Sequence, residues 1–376
     1  MKEIYFDNAA TTRIHPNVSE DIRDAEENHF YNSAALYSGS VKTNKVLDEA
    51  KQTIMRRLTR EESGILVITS GATEGNNIVI FGKMTSPGRH HMVVLAGEHS
   101  STYAPSVHLK NAGFAVDYVP LTISGEADIN ALASVIRPTT TLVVFGLVNS
   151  DTGTIQPARE IIKTVRGIAP KAHIHCDAVQ GFAKFDFDVS GLGFDSAVVS
   201  AHKIYGPKGV GALWLKKNTK LSPIMYGGSQ QDFRPGTENN AGIIGLGSAI
   251  RNFDTAKNFA HVQELHDTLI KGLPTGCSVN GKNTNPYITN IMLPGILGQT
   301  AMNYLSSRGI YVGLGSACAA KASKNRTLIA MGIPEAKTKN VLRISFGIYN
   351  SVAEVDIFLS ELDRLCRNPA FSTARR

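Results

Sequence analysis

Short apolar runs alternate with segments of helical periodicity through the first two thirds of the chain. Each run ends in small or polar residues, which is typical of a buried strand, and the segments between runs repeat apolar residues every three or four positions. The predicted strands cover 64–69, 92–95, 114–119, 141–147, 173–176, 197–199 and 210–215, and the helices among them cover 101–111, 129–136 and 158–167. Repeated β-α units of this kind predict an α/β fold with a mostly parallel, doubly wound sheet and helices on both faces.

The last third of the chain has a different pattern. A glycine-rich stretch follows residue 215, and one long helix is predicted over 239–272. Beyond it we predict strands at 288–293, 311–312 and 341–346 and helices at 299–308 and 352–366. We therefore predict two domains: a large one over 14–255, and a smaller α+β one formed by 1–13 together with 256–376.

The composition agrees with a globular protein of this size. Of the 376 residues, 42% are hydrophobic and 19% are charged, which suffices for two cores. No apolar run reaches the roughly 18 residues of a membrane span, and the first residues lack the apolar centre of a signal peptide, so we expect a cytoplasmic location. The net charge of +7 is dispersed and does not favour direct nucleic-acid binding.

Polar side chains follow the carboxyl ends of three predicted strands. His99, Asn149 and Asp177 each lie just past the end of a predicted strand. Open α/β sheets bind their ligands at that edge, so we expect these side chains to lie near one another. The turn that contains Ala72 and Thr73 joins a strand to the start of a helix, where free backbone N–H groups favour an anion such as phosphate.

A lysine stands just past another predicted strand. The stretch Ser200-Ala201-His202-Lys203 leads into a rigid Gly-Pro loop. A lysine in such a place can have a lowered pKa and form a Schiff base with an aldehyde. Ser200 and His202 are suitable donors for a phosphate attached to that aldehyde.

Together these residues indicate pyridoxal phosphate (PLP). Asp177 can hold the pyridine nitrogen protonated, which makes the ring an electron sink. Lys203 can carry the Schiff base, the helix start at Ala72 and Thr73 can hold the phosphate, and His99 can cover the ring face.

The chain resembles the class V aminotransferase family of fold-type I PLP enzymes, and within it the cysteine desulfurases of the NifS/IscS type. The resemblance extends from 5–12 to 343–347 and is most specific at 200–209 and 315–318, with support from 69–74. It implies the PLP-dependent transferase fold, and removal of sulfur from L-cysteine to give L-alanine and an enzyme-bound persulfide.

The resemblance also implies a role for each site residue. Lys203 would form the Schiff base and move protons, and His99 would stack on the ring and act as acid or base. The remaining cofactor-binding residues would be Ala72, Thr73, Asp177, Gln180, Ser200, His202 and Thr237, the last reaching the phosphate of a neighbouring subunit in a homodimer. The substrate carboxylate would be bound by Arg343, Asn149 and Asn32.

Cys318 is the residue on which the specific reaction depends. In the resembled enzymes, such a cysteine attacks the substrate sulfur and carries it as a persulfide. Its flanks are small, polar or basic residues, which argue against a buried structural thiol. The persulfide would pass to a sulfur acceptor, such as an iron–sulfur scaffold or a tRNA-thiolation enzyme. Cys176, Cys277 and Cys366 are interpreted as structural.

Three alternatives remain open. A selenocysteine lyase or a class V aminotransferase acting on a small amino acid would share the fold. His173-x-His175-x-Asp177 would place three possible metal ligands on one strand face, although we predict no metal. A non-catalytic scaffold is disfavoured by the intact lysine, aspartate, histidine and cysteine. The chain departs from the resembled pattern at Ser33, at Ser150-Asp151, and over 227–237 and 321–326, which leaves specificity and the acceptor open.

Overall fold

A large mixed sheet organises the first part of the chain. The computed structural model describes residues 3–228, 233–315 and 325–371. The strands of this sheet are β2 (Ile65–Thr69), β3 (His91–Leu95), β4 (Ala115–Val119), β5 (Thr140–Gly146), β6 (His173–Asp177), β7 (Ser196–Ser200) and β8 (Gly211–Leu215). Their spatial order is β2-β8-β7-β6-β5-β3-β4. The pairs from β7 to β4 are parallel, whereas β8 is antiparallel to both of its neighbours. The predicted α/β class and mostly parallel sheet are confirmed.

Helices accompany this sheet. They are α1 (Pro16–Asn28), α2 (Ser38–Leu58), α3 (Ala72–Lys83), α4 (Ser100–Asn111), α5 (Ile129–Val135), α6 (Ala158–Ile168), α7 (Val189–Leu192), α8 (Asn240–Arg251) and α9 (Thr255–Gly272). The strands β3, β6, β7 and β8 are buried along their whole length, because parallel sheets of this type are covered on both faces.

The prediction of a single long helix over 239–272 is wrong, because the structure has two helices there. The chain leaves α8 at Asn252, and a new helix begins after Asp254. The Asp254 side chain accepts a hydrogen bond from the backbone N–H of Lys257 at 3.0 Å and so caps α9. The hydrophobic periodicity continues across the break, and this capping residue is the only local sign of the interruption.

Two smaller sheets involve the chain ends. β1 (Ile4–Phe6) pairs in parallel with β11 (Ile310–Val312), and β12 (Val341–Ser345), β10 (Ile288–Met292) and β9 (Ser278–Asn280) form an antiparallel sheet. The helices of this part are α10 (Gly298–Ser306), α11 (Arg326–Ala330) and α12 (Val352–Arg367). A capping box between Ser351 and Glu354 begins α12. Within the described ranges, no helix has the length and apolar character needed to cross a membrane.

Two cysteines that the sequence presents as unrelated lie side by side in this part of the fold. The Sγ atoms of Cys277 and Cys366 are 3.8 Å apart, and both side chains are half-buried. The hydrogen bond from Cys277 lowers the pKa of the Cys366 thiol. Cys366 is therefore the better nucleophile of the pair. Cys176, by contrast, is fully buried, and burial raises the pKa of its thiol.

We predict that mild oxidation joins Cys277 to Cys366. The two sulfurs need to approach from 3.8 Å to about 2.0 Å to form the bond, with hydrogen peroxide accepting two electrons and leaving as water. Peptide mapping without reduction should then show these two peptides linked and Cys176 still free. A Cys366→Ser variant is the control and should yield no such product. Recovery of both cysteines as free thiols from oxidised wild-type protein would contradict the prediction.

Candidate active site

A cavity of about 220 Å³ lies at the carboxyl ends of the central strands. It brings together most of the residues predicted from the sequence: Ala72, Thr73, His99, Asn149, Asp177, Gln180, Ser200, His202, Lys203 and Arg343. Their strands are neighbours in the sheet, so side chains far apart in sequence meet at one edge. Arg343 comes from the separate antiparallel sheet and closes one side of the cavity.

Lys203 reaches this cavity from a short 3₁₀ turn directly after β7. Its Nζ donates hydrogen bonds to the carbonyl oxygens of Ala9 and Ala10, each at 2.7 Å. Burial, and then the positive charge of Arg343, lower the pKa of Lys203 to about 8. About a tenth of this amine is thus unprotonated at pH 7, far more than for a lysine in water, and the unprotonated form is the one that attacks a carbonyl carbon.

The start of α3 forms an anion-binding corner of the cavity. Gly71 precedes it with φ +151°, a backbone angle that side chains other than glycine rarely adopt. The Oγ of Ser200 accepts a hydrogen bond from the Ala72 N–H at 2.8 Å and ties the helix start to β7. Backbone N–H groups at a helix start, together with the helix dipole, favour a phosphate here.

His202 lies beside the same corner. Its Nδ1 is 3.1 Å from the Thr11 hydroxyl. Burial, and then the neighbouring Lys203, lower the pKa of His202 to about 4, so the ring is neutral at neutral pH. It can contribute a hydrogen bond to an anion but no charge.

Asp177 and His99 stand on the opposite side. One oxygen of the buried Asp177 carboxylate accepts from the Val179 N–H at 3.2 Å, and the other accepts from the Asn76 amide at 3.0 Å. The Nδ1 of His99 accepts from the Ser101 N–H at 3.1 Å, and burial lowers the pKa of His99. A carboxylate held by donors and a neutral imidazole therefore face the same space.

Gln180 and Lys184 form a buried pair behind the lysine. The Lys184 Nζ donates to the Gln180 side-chain oxygen at 2.8 Å, and the Gln180 amide donates to the Ala9 carbonyl at 3.0 Å. Burial, and then repulsion from Lys203, lower the pKa of Lys184 to about 7. The sequence did not predict a role for Lys184, because the residue follows an ordinary turn. Its one sequence signal is that it stands four residues after Gln180.

Glu98 is a further cavity residue that sequence reasoning missed. Its carboxyl group is buried and accepts a hydrogen bond from the Gly146 N–H at 2.9 Å. Burial raises the pKa of Glu98 to about 8, so the group is mostly protonated at neutral pH. Its position next to His99 in the sequence was the available clue.

Arg343 is almost completely buried, at 2% exposure. One Nη donates to Asp7 at 2.7 Å and the other donates to the Ser150 carbonyl at 3.0 Å, whereas its Nε has no partner among the described residues. Asn149 is largely committed to its own loop, because its side-chain oxygen accepts from the N–H groups of Asp151 and Thr152. Arg343 is therefore the better placed of the two to receive a carboxylate.

The other predicted residues lie elsewhere. Asn32 is exposed, and its side-chain oxygen accepts from the Ala34 N–H at 2.9 Å. Thr237 is also exposed and does not line the cavity. Cys318 is outside the residues that the structure describes.

The histidines of the alternative metal motif are engaged in hydrogen bonds. His173 bonds to Ser196 at 2.7 Å, and His175 bonds to Ser196 at 2.6 Å and to Asn76 at 2.8 Å. Over residues 3–228, 233–315 and 325–371, no group of three or more His, Cys, Asp or Glu side chains is arranged to hold a metal ion.

These residues fit PLP. A lysine with a lowered pKa, a buried carboxylate and a phosphate-binding helix start line one cavity, and they match the aldehyde, the pyridine nitrogen and the phosphate of that molecule. The neutral His99 ring supplies a flat, partly apolar surface beside them.

Comparison with known proteins agrees with this site. The aminotransferase class-V family matches residues 4–358, so the chain belongs to the class V aminotransferases, which are PLP-dependent enzymes. The cysteine desulfurase IscS of Dictyoglomus turgidum is 32% identical over 97% of this chain and 94% of its own length. Cysteine desulfurase IscS 1 of Archaeoglobus fulgidus is 32% identical over 95% of each chain. Within that family, the chain belongs with the cysteine desulfurases of the NifS/IscS type.

Solved structures agree with that placement. A NifS-like protein superposes with a TM-score of 0.89 at 29% identity and covers 97% of this chain and 99% of its own. SspA, solved in complex with cysteine, superposes with a TM-score of 0.81 at 30% identity over 93% of this chain and 100% of its own. The fold-type I architecture expected from the sequence is confirmed.

Proposed function

We propose that this chain is a PLP-dependent cysteine desulfurase that converts L-cysteine to L-alanine and carries the sulfur as a persulfide on Cys318. The observation that carries the proposal is the position of Lys203 in the same cavity as Asp177, His99 and Arg343. The resemblance to curated cysteine desulfurases over nearly the whole chain supports it.

Different residues of the chain would have different roles around the cofactor. PLP, when bound, supplies an aldehyde that condenses with amines and a ring that stabilises negative charge at the substrate α-carbon. Lys203 would hold the cofactor and move a proton at that α-carbon, for which its pKa of about 8 is well matched. Asp177 would pair with the pyridine nitrogen, and Ala72, Thr73, Ser200 and His202 would hold the phosphate, as the sequence implies.

Arg343 would orient the substrate. Its Nε is buried and has no partner within the described part of the chain, and a buried guanidinium N–H favours an acceptor such as the L-cysteine carboxylate. Asp7 accepts a hydrogen bond from one Nη and so helps to fix the orientation of the guanidinium.

Cys318 would perform the sulfur step. Its thiolate forms a bond to the substrate sulfur as the substrate C–S bond breaks, and the electron pair left on carbon takes a proton to give the methyl group of alanine. Gly313 is paired with Arg343 through two backbone hydrogen bonds, and Gly315 lies against Asp151. Cys318 follows Gly315 by three residues, so the chain between them spans at most about 11 Å.

A homodimer is the proposed assembly. Phe30, Leu36 and Tyr226 are 63%, 95% and 86% exposed, which is unusual for large apolar side chains in water. The Asn240 amide donates to the Tyr31 carbonyl at 2.9 Å, so the exposed segment around Phe30 lies near the stretch that contains Thr237. A partner covering this surface would allow Thr237 to reach the partner's phosphate, as the resemblance implies.

The remaining predictions concern organisation and partners. The division into 14–255 and 1–13 with 256–376 is a proposal, supported by the large sheet lying within 65–215 and the two smaller sheets drawing on 4–6 and 278–345. A cytoplasmic location and a sulfur-acceptor protein, such as an iron–sulfur scaffold or a tRNA-thiolation enzyme, stay predictions from the sequence.

Product analysis tests the activity. Purified enzyme reconstituted with PLP should convert L-cysteine, in the presence of a thiol reductant, to equal amounts of alanine and sulfide. L-selenocysteine and a 2-oxo acid acceptor serve as comparison substrates. Preferential release of selenide would instead support a selenocysteine lyase, and amino transfer to the 2-oxo acid without sulfide would support an aminotransferase.

A further inference from the structure

Asn76 is a fully buried side chain on α3 that uses its whole amide for hydrogen bonds. Its nitrogen donates to Asp177 at 3.0 Å and to the Ser101 hydroxyl at 2.9 Å. Its oxygen lies 2.8 Å from the Nε2 of His175. The amide thus connects the two groups that flank the cavity, directly on the Asp177 side and through Ser101 on the His99 side.

The orientation of this amide follows from its neighbours. A carboxylate only accepts hydrogen bonds, so the NH₂ group of Asn76 must face Asp177 and its oxygen must face His175. His175 therefore carries its proton on Nε2. Its Nδ1 is then an acceptor and takes the hydroxyl proton of Ser196, at 2.6 Å.

The chain of donors continues further into the core. Because the Ser196 hydroxyl donates to His175, it must accept from the Nε2 of His173, at 2.7 Å. Burial lowers the pKa of His175 to about 3 and that of His173 as well, so both rings are neutral. Each group in the series His173, Ser196, His175, Asn76 and Asp177 therefore donates a hydrogen bond to the next. If the Asn76 amide were reversed, its oxygen would face the Asp177 carboxylate, and neither group could donate.

The branch toward the cavity has the same polarity. The backbone N–H of Ser101 donates to the Nδ1 of His99, which makes that nitrogen an acceptor. The Ser101 hydroxyl is 2.8 Å from the same nitrogen and donates to it, while accepting from Asn76. The proton of the neutral His99 ring is thus on Nε2, the nitrogen that is not engaged by Ser101.

We propose that Asn76 is the positioning residue for Asp177: held by the His173–Ser196–His175 chain, its amide fixes the plane of the carboxylate and keeps it a hydrogen-bond acceptor toward the cavity. The importance of this positioning for catalysis rests on the proposed function, in which Asp177 would accept a hydrogen bond from the N–H of the pyridine ring of PLP. The direction of the hydrogen bonds is a property of the chain alone.

Histidine NMR on the full-length apoprotein tests the direction first. Nitrogen-15 labelling of the histidines, assigned with a His175→Gln variant, should show His175 neutral with its proton on Nε2. A proton on Nδ1, or a charged ring at pH 7, would overturn the proposal. This measurement needs no substrate, so a failure of desulfurase activity leaves it standing, and the reverse also holds.

Asn76→Leu then tests the positioning role, because leucine nearly keeps the volume but has no hydrogen-bonding groups. We expect the PLP dissociation constant to rise about 10-fold or more, as for other supporting residues, and the His175 proton to shift toward Nδ1, where Ser196 can accept it. Asn77→Leu is the matched control, since the Asn77 side chain bonds, among the residues that the structure describes, only to the Thr73 carbonyl on the same helix.

A second variant separates positioning from folding. Ser101→Ala removes the branch to His99 but leaves the bonds from Asn76 to Asp177 and from His175 to Asn76, so the His175 proton should stay on Nε2 in this variant. Equal losses of affinity in Asn76→Leu and Asn77→Leu, or unchanged affinity in a folded Asn76→Leu protein, would refute the proposal.

Discussion

Lys203→Ala protein is expected to lose turnover of L-cysteine by about four orders of magnitude or more, the usual loss when the nucleophile of a covalent mechanism is removed. The variant should still fold, because the only partners of the Lys203 amine over the described ranges are the carbonyl groups of Ala9 and Ala10, and the amine lies at the wall of a cavity. Borohydride should attach PLP covalently to wild-type protein at Lys203 and not to the variant. Turnover is followed as sulfide release.

Lys208→Ala is the matched control for this variant. Lys208 lies five residues further along the same loop, is exposed, and does not line the cavity. The Lys208→Ala variant should therefore retain both turnover of L-cysteine and borohydride labelling. Labelling of Lys203→Ala at another lysine, with turnover preserved, would show that the covalent role belongs elsewhere, for which the buried Lys184 is the nearest candidate.

The rate at which PLP attaches to the apoprotein should depend on pH. Only the unprotonated amine attacks the aldehyde, and the pKa of Lys203 is about 8. The rate should rise about tenfold per pH unit well below 8 and level off above it, since the neutral fraction then no longer increases. A plateau reached only above pH 10 would indicate a solvated lysine in place of the buried one.

Cys318→Ala protein is expected to release sulfide at less than about 1% of the wild-type rate, because the proposed sulfur acceptor is missing and an alanine has no nucleophile. PLP binding should be unchanged, since the cavity residues proposed to hold the cofactor are all intact. The absorbance of bound PLP and the production of sulfide and alanine from L-cysteine measure the two properties separately. Cys318→Ser should behave in the same way, because a hydroxyl is a poor nucleophile toward sulfur.

The other cysteines provide controls of the same chemistry. Cys277→Ala and Cys366→Ala remove thiols outside the cavity, so they should retain sulfide release. Mass spectrometry after a brief exposure to L-cysteine should find one added sulfur on the peptide with Cys318 in wild-type protein. Normal sulfide release by Cys318→Ala, or added sulfur found only on Cys277 or Cys366, would contradict the persulfide assignment.

The sequence was informative wherever local pattern and chemistry coincide. The α/β class was predictable because most strands of the large sheet contain a short apolar run, and β6 and β7 end in the polar residues Asp177 and Ser200, which line the cavity. The Ser200-to-Lys203 stretch was recognisable because its function requires adjacent residues in one turn. The break between α8 and α9 was not, because apolar periodicity continues across Asn252 and Asp254.

The amino-acid sequence by itself determined the fold class and the family, and it predicted the PLP-binding residues, since all three are carried by strand ends and short contiguous motifs. The tertiary structure alone decided which distant residues meet. Asn76 bonds to Asp177 across 101 positions, Arg343 to Asp7 across 336, and Cys277 lies against Cys366 across 89. Such pairs depend on the order of the strands and the packing of helices on them, and the periodicity of a single segment carries no information about its neighbours in space.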